Sequence, residues 1–124
     1  MTTILIVDDN EPIRRLVSKI LRREGYEIEE AFDGLEAMEK LNLRTFDAIV
    51  LDLMMPRANG FEVIAYLRQQ KPEVLKRVVV MTAAMSQLSS DELREIGQVV
   101  AKPFEIDNLL QTVRTCLERA GLTE

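Results

Sequence analysis

Four short apolar runs in this chain of 124 residues each end at a residue suited to phosphate or metal chemistry. The run 4–7 is followed by Asp8 and Asp9, 48–51 by Asp52, 78–81 by Thr82, and 99–101 by Lys102. Three carboxylates, a hydroxyl and an ammonium group offer hard oxygen ligands and a balancing cation, a set that suits Mg²⁺ or Mn²⁺ and the oxygens of a phosphate. Carboxylates crowded at one place repel one another and raise at least one pKa by roughly a unit or more, a conflict that a divalent cation relieves. Such a metal, with Lys102 opposite, would neutralise charge on a phosphoryl group in transfer, which leaves one aspartate as the nucleophile.

These residues converge only if the elements before them are neighbouring strands. Short Val/Ile/Leu runs separated by helical stretches read as buried parallel strands, whose carboxyl ends border the ligand crevice of an open α/β sheet. Between them, Asn10 or Asp9 can cap a helix with Pro12 in its first turn, and Ile13, Leu16, Val17, Ile20 and Leu21 recur on one helical face until Gly25. The segment 26–32, with Glu27, Glu29 and Glu30, reads as an edge strand with one wet face. Asp33-Gly34 leads into a second helix with Leu35, Met38 and Leu41 inward. A third strand spans 46–52, and Pro56 and Asn59-Gly60 are turn residues before a helix marked by Val63, Ile64 and Leu67. Ser89-Ser90-Asp91-Glu92 opens a short helix ending near Gly97, anchored by Leu88, Leu93 and Ile96. Ile106, Leu109, Leu110, Val113 and Leu117 define the last helix. Five βα units result.

The composition sets outer bounds. At this length the chain is expected to be one domain, 1–124, with no output domain attached, able to bury roughly two thirds of its unfolded surface. Its 47% apolar and 30% charged content is that of a globular protein. It has no segment near the 18 or so continuous apolar residues of a membrane span, nor a leader-like N-terminus, so a cytoplasmic location is expected. With no histidine, Ser-His-Asp catalysis, His-ligated zinc and phosphohistidine donation are excluded. Cys116, the sole cysteine, sits at an apolar position of the last helix and reads as a small buried hydrophobe. A net charge of −5 argues against DNA binding.

The residues at the strand ends give the chain a family likeness. Val7-Asp8-Asp9, the run from Leu51-Asp52 to Met55-Pro56 with Gly60 beyond it, Met81-Thr82-Ala83, and Lys102-Pro103-Phe104 occur in the order seen in the receiver domain of two-component response regulators, which the sequence resembles over almost its whole length. The resemblance implies a flavodoxin-like doubly wound (βα)5 sheet of strand order 2-1-3-4-5. It implies that Asp52 accepts a phosphoryl group from a sensor histidine kinase, a histidine phosphotransfer protein or a small acyl phosphate, so that the domain catalyses only its own phosphorylation and dephosphorylation. Asp9, Asp52 and the backbone carbonyl of Met54 would bind Mg²⁺, with Asp8 acting mostly through water. Thr82 would hydrogen-bond a phosphoryl oxygen, and Lys102 would pair with Asp52 and then with the phosphate. Lys102-Pro103 would be cis. The implied output is a partner-binding surface that switches for a downstream protein target, and homodimerisation is compatible with the sequence.

Singly, each site residue has a structural reading: Asp8 and Asp9 as helix caps, Thr82 as a strand-end hydroxyl, Lys102 as a surface charge. Jointly they favour chemistry, most of all Asp52, whose charge closes an apolar run. The chain also departs from its family. Val99 stands where receivers usually carry Tyr or Phe, and Glu95 to Gln98 is a residue or two short, so altered coupling to that surface is expected. Met54 and Ala84, two residues after Asp52 and Thr82, cannot orient water, so slow self-dephosphorylation is expected. Haloacid-dehalogenase-type phosphatases need an aspartate where Met54 stands, no G-x-G-x-x-G follows a strand, and the acidic turn Asp8-Asp9-Asn10-Glu11 would repel the phosphate of FMN. The remaining alternative is a receiver-like adapter that works without phosphorylation.

Overall fold

The computed structural model describes residues 1–55, 58–83 and 85–121. Five strands, β1 (Thr3–Val7), β2 (Glu27–Ala31), β3 (Ala48–Asp52), β4 (Val78–Thr82) and β5 (Gln98–Ala101), alternate with five helices. These are α1 (Glu11–Arg23), α2 (Gly34–Leu43), α3 (Gly60–Gln70), α4 (Ser90–Glu95) and α5 (Ile106–Arg119). All strand pairs are parallel and the order is β2-β1-β3-β4-β5, as the resemblance implied. The register places Val7 beside Leu51, Asp52 beside Met81 and Thr82 beside Ala101, so the ends of the three central strands and β5 lie side by side.

The continuous apolar runs of β1, β3 and β4 follow from burial on both faces of the sheet. Successive side chains point to opposite faces. Leu5, Val7, Ile49, Leu51, Val78 and Val80 pack with residues of α2 and α3 on one side. Ile4, Ile6, Ala48, Val50, Val79 and Met81 pack with α1 and α5 on the other. At the β2 edge Glu27 is exposed and Glu29 and Glu30 are half-buried. Lysine and arginine from neighbouring elements reach these acids: Arg14 pairs with Glu30 at 2.8 Å, and Arg44 pairs with Glu29.

The helix starts are set by side-chain caps. Asn10, rather than Asp9, caps α1 by accepting the Ile13 N–H at 3.0 Å, and Asp33 caps α2 by accepting from Glu36 at 2.9 Å. Asn59 with Glu62 and Ser89 with Glu92 form reciprocal capping boxes. Gly25 ends α1 with φ +93, a left-handed conformation that glycine adopts without penalty.

Four apolar positions expected to face inward do not: Leu16, Leu35, Leu93 and Ile106 are each more than two-fifths exposed. On α1 the buried arc is centred on Val17, Ile20 and Leu21 and includes Ser18, which leaves Leu16 at its flank because each residue turns the helix by roughly 100°. On α4, Leu88 and Ile96 at the two ends supply the anchorage, and Leu93 stands clear. A 3-10 segment, Pro72–Arg77, which periodicity did not indicate, buries Val74 and Leu75 beneath the α3–β4 connection. Cys116 is buried as expected, and burial pushes its thiol up to about 11 despite Arg119 and Arg77 nearby.

The β3–α3 connection closes against the strand it leaves. Gly60 donates its N–H to the Leu53 carbonyl at 2.9 Å, and a Cβ there would lie 2.5 Å from the Asp52 carbonyl oxygen and 2.6 Å from the Leu53 Cα. Alanine at a helix start is ordinarily better than glycine by up to about 1 kcal/mol. Here both obstructing atoms are backbone, so overpacking decides the sign, and Gly60→Ala is expected to cost about 1–3 kcal/mol. A urea midpoint equal to or above that of the wild type would contradict this.

Candidate functional site

Asp8 and Lys102 occupy the first position beyond a strand, Asp52 and Thr82 the last of one, and Asp9 and Met54 the second position beyond. Asp8 follows β1 and is fully buried; its N–H donates to Ala31 of β2 at 3.1 Å, which fixes the turn. Its Oδ1 accepts the Asn10 N–H at 2.9 Å, so one carboxylate oxygen serves the turn and leaves Oδ2 for Lys102. Asp9 is exposed at the mouth. Asp52 closes β3 and is buried, its Oδ1 accepting the Met54 N–H at 3.3 Å. The Lys102 N–H donates to the Thr82 carbonyl at 2.9 Å, which extends the β4–β5 pairing by one residue and aims the lysine back across the sheet end. The Lys102-Pro103 bond is cis.

Asp8, Asp9, Asn10, Asp52, Met54, Ala83 and Lys102 line a crevice of about 280 Å³. One carboxylate oxygen from each of Asp8, Asp9 and Asp52 lies within 4.8 Å of the others. Lys102 Nζ sits between two of them, 3.0 Å from Asp8 Oδ2 and 3.5 Å from Asp52 Oδ2. The tighter contact is with Asp8, not with the Asp52 partner that the resemblance implied. Burial pushes the Asp52 carboxyl up to about 6; Lys102 opposes the rise and the Asp8 charge adds to it. Burial is thus the main cause of the rise at Asp52, and the repulsion expected of clustered acids adds to it through Asp8.

Of the residues singled out from sequence, Asp8, Asp9, Asp52, Met54 and Lys102 meet in one place. Thr82 is at the adjacent strand end but fully buried, and its neighbour Ala83 faces the crevice. Met54 is half exposed. Val99 is half-buried against the α2 and α3 side of the core. Pro56 and Ala84 lie outside the described residues. Sequence reasoning missed Arg14, whose guanidinium donates to the Asp8 carbonyl at 3.0 Å and to Glu30 at 2.8 Å, clamping the β1–α1 turn. Nothing in its position distinguished it from Arg15.

The acidic set fits a divalent metal on the chemistry of its donors. Three oxygen ligands with a surplus of negative charge and no sulfur or imidazole are what Mg²⁺ takes, and the raised Asp52 pKa marks charge that a cation would relieve.

Comparison with known proteins agrees with the geometry. The family described as the response regulator receiver domain matches residues 4–114. Response regulator ArlR of Staphylococcus saprophyticus is 33% identical over 121 residues, which cover 96% of this chain and 54% of ArlR. The chain thus spans about half the length of the curated relatives it matches. The structure of response regulator TrrA from Thermotoga maritima in complex with Mg²⁺-BeF is 34% identical with a TM-score of 0.84, over 94% of this chain and 99% of TrrA. TrrA has also been solved with histidine kinase ThkA, and there the match is 34% with a TM-score of 0.82 over the same shares. No helix among the described residues is long and apolar enough to cross a membrane. With the flavodoxin-like strand order, the acidic crevice and these likenesses together, the chain belongs to the response regulator receiver domain family.

Proposed function

We propose that Asp52 is the phosphoacceptor of a phosphorelay, taking a phosphoryl group from the phosphohistidine of a sensor kinase or a phosphotransfer protein. The observation that carries this reading is the placement of a buried carboxylate, within 4.8 Å of two others and 3.5 Å from a lysine, at the open end of the sheet. An Asp52 carboxylate oxygen attacks phosphorus, the P–N bond to the donor imidazole breaks, and the electron pair returns to that nitrogen. Asp9, Asp52 and the Met54 carbonyl would hold Mg²⁺ or Mn²⁺, with Asp8 acting through water. When bound, the metal would neutralise charge on the phosphoryl oxygens.

Lys102 sits where it can exchange its contact with Asp52 for one with a phosphoryl oxygen, while Asp8 keeps it in position. Thr82, buried at the end of β4, would turn its hydroxyl toward the transferred group. The domain would act on no substrate beyond its own aspartate, in the cytoplasm, and pass its state to a downstream protein. The complex of TrrA with ThkA supports a kinase as the donor, and the TrrA complex with Mg²⁺-BeF supports magnesium.

Intact-mass spectrometry after incubation with a small acyl phosphate tests the proposal. A gain of one phosphoryl group with Mg²⁺ and none in EDTA is the expected result. No gain under conditions where Mg²⁺ binding is verified would favour an adapter that binds its partner without phosphorylation.

A further inference from the structure

A second cavity, of about 370 Å³, opens between α4, the start of β5 and the last turns of α5, and shares no lining residue with the acidic crevice. Its existence follows from the brevity of α4. The helix has six residues, and the chain leaves it through Gly97, whose N–H donates to the Val78 carbonyl at 2.9 Å. A Cβ at Gly97 would stand 2.9 Å from Cys116 Sγ and would also collide with the Lys76 carbonyl. The backbone therefore lies directly on β4 and α5 and forms part of the cavity floor beside Cys116.

The lining has two characters. Ile96 and Cys116 are buried at its base, and Leu93, which α4 leaves unburied, forms an apolar wall. Lys76, Arg94 and Arg119 supply the charge, and no carboxylate is among the described lining residues. The nearby acids have other partners, although the Glu95 charge also acts on Lys76. Both Glu95 oxygens are held by Arg68, at 2.7 and 2.9 Å, and Glu92 caps its own helix at Ser89. Asp91 reaches Arg94 at 3.7 Å, but both side chains are exposed, so the pair is weak. Lys76 donates one of its three N–H groups to the Arg94 carbonyl at 2.7 Å and keeps the others. Three cations around an apolar base form a site whose sign is opposite to the net charge of −5 of the chain.

We propose that this cavity binds a small anionic amphiphile: an aliphatic carboxylate with its head on Lys76, Arg94 and Arg119 and its chain along Leu93, Ile96 and Cys116. The volume lies within the range of about 300–1,000 Å³ usual for small-molecule sites, and an apolar lining with a few convergent charges is their usual chemistry. A bare inorganic anion would use the charges and leave the base wet. A neutral hydrocarbon would fill the base and leave the charges unused.

The test is a titration of the whole chain with octanoate, kept below its micelle concentration, followed by backbone amide NMR. Saturable shifts centred on Ile96, Gly97 and Cys116 are expected. Inorganic phosphate and n-octanol should each bind at least about tenfold more weakly than octanoate, since each lacks half of the recognition. Lys76→Gln with Arg119→Gln should also weaken octanoate at least about tenfold, a charge-assisted contact being worth that much. Both residues are exposed, so the amide spectrum of the sheet should stay as in the wild type. The proposal is overturned by an absence of saturable shifts at those amides, by octanoate binding that the two substitutions leave unchanged, or by phosphate or octanol binding as tightly as octanoate.

Discussion

Asp52→Asn is expected to take up no phosphoryl group and, in metal-free buffer at pH 7.5 (about 1.5 units above the Asp52 pKa), to unfold at a higher temperature than the wild type. The first outcome follows from replacing the proposed nucleophile by an amide. The second follows from the electrostatics of the crevice. Burial raises the Asp52 pKa from 3.8 to about 6, so between those values the folded chain holds a proton that the unfolded chain has lost. Stability from this group is fully present below pH 3.8 and is lost as pH rises through about 6.

Above that pH the ionised carboxylate weighs against the fold. The shift, in which the opposing Lys102 contact is already included, corresponds to roughly 3 kcal/mol at most, and the buried amide of the variant keeps a desolvation cost of its own, so a net gain of about 1–2 kcal/mol is expected. That amounts to a rise in Tm of about 4–8 °C, and near pH 4 the difference should largely vanish. Mg²⁺ should stabilise the wild type more than the variant and narrow the gap at pH 7.5. Melting curves at the two pH values decide the matter, since a variant less stable than the wild type at pH 7.5 contradicts the reading of Asp52 as a strained charge.

Lys102→Met is expected to move two measurements in opposite directions. The methionine keeps most of the side-chain volume and removes an ammonium that lies 3.0 Å from Asp8 and 3.5 Å from Asp52. Without it the three carboxylates have more uncompensated charge, so Mg²⁺ should bind more tightly, by a factor of about 3 or more. Phosphoryl uptake from an acyl phosphate at saturating Mg²⁺ should nevertheless slow by about 10²–10³-fold, the usual loss when a preorganised charge facing the transferred group is removed. Initial rates from intact mass, set beside a Mg²⁺ titration, separate the two effects. Parallel losses in both would mean that the lysine mainly supports the local fold.

The parts of the structure legible in sequence were those governed by short-range rules. Runs such as Ala48-Ile49-Val50-Leu51 are buried on both faces of a parallel sheet, and the polar residue ending each run marks a strand end. Ser89 with Glu92 announced its helix through capping chemistry that involves nearby residues alone, whereas Asn59, read as a turn residue, proved to cap α3 with Glu62 in the same way. The missed features depend on what lies across a gap. Leu16 is left exposed while Ser18 is buried because the sheet, and not the helix, decides which arc is covered. The 3-10 segment Pro72–Arg77 has no periodicity to detect, and its burial of Val74 and Leu75 depends on α3 and α5. Arg14 became part of the site's framework through Glu30, sixteen residues away on the edge strand. The preference of Lys102 for Asp8 over Asp52 is a matter of half an ångström, which no pattern of residue types encodes.

The Lys102–Asp8 contact spans 94 positions of the chain. During synthesis β1 emerges first, yet it occupies an interior place in the sheet and cannot be covered until β2 and β3 have been made on either side. The acids gather as β3 joins β1, but their counter-charge arrives only when β5 has docked on β4, after the other four strands have been made. A nascent chain therefore carries three mutually repelling carboxylates without their lysine, and the crevice reaches its final charge as the last strand closes. A chain that stalls before β5 therefore holds the acids of the crevice without the lysine that faces two of them.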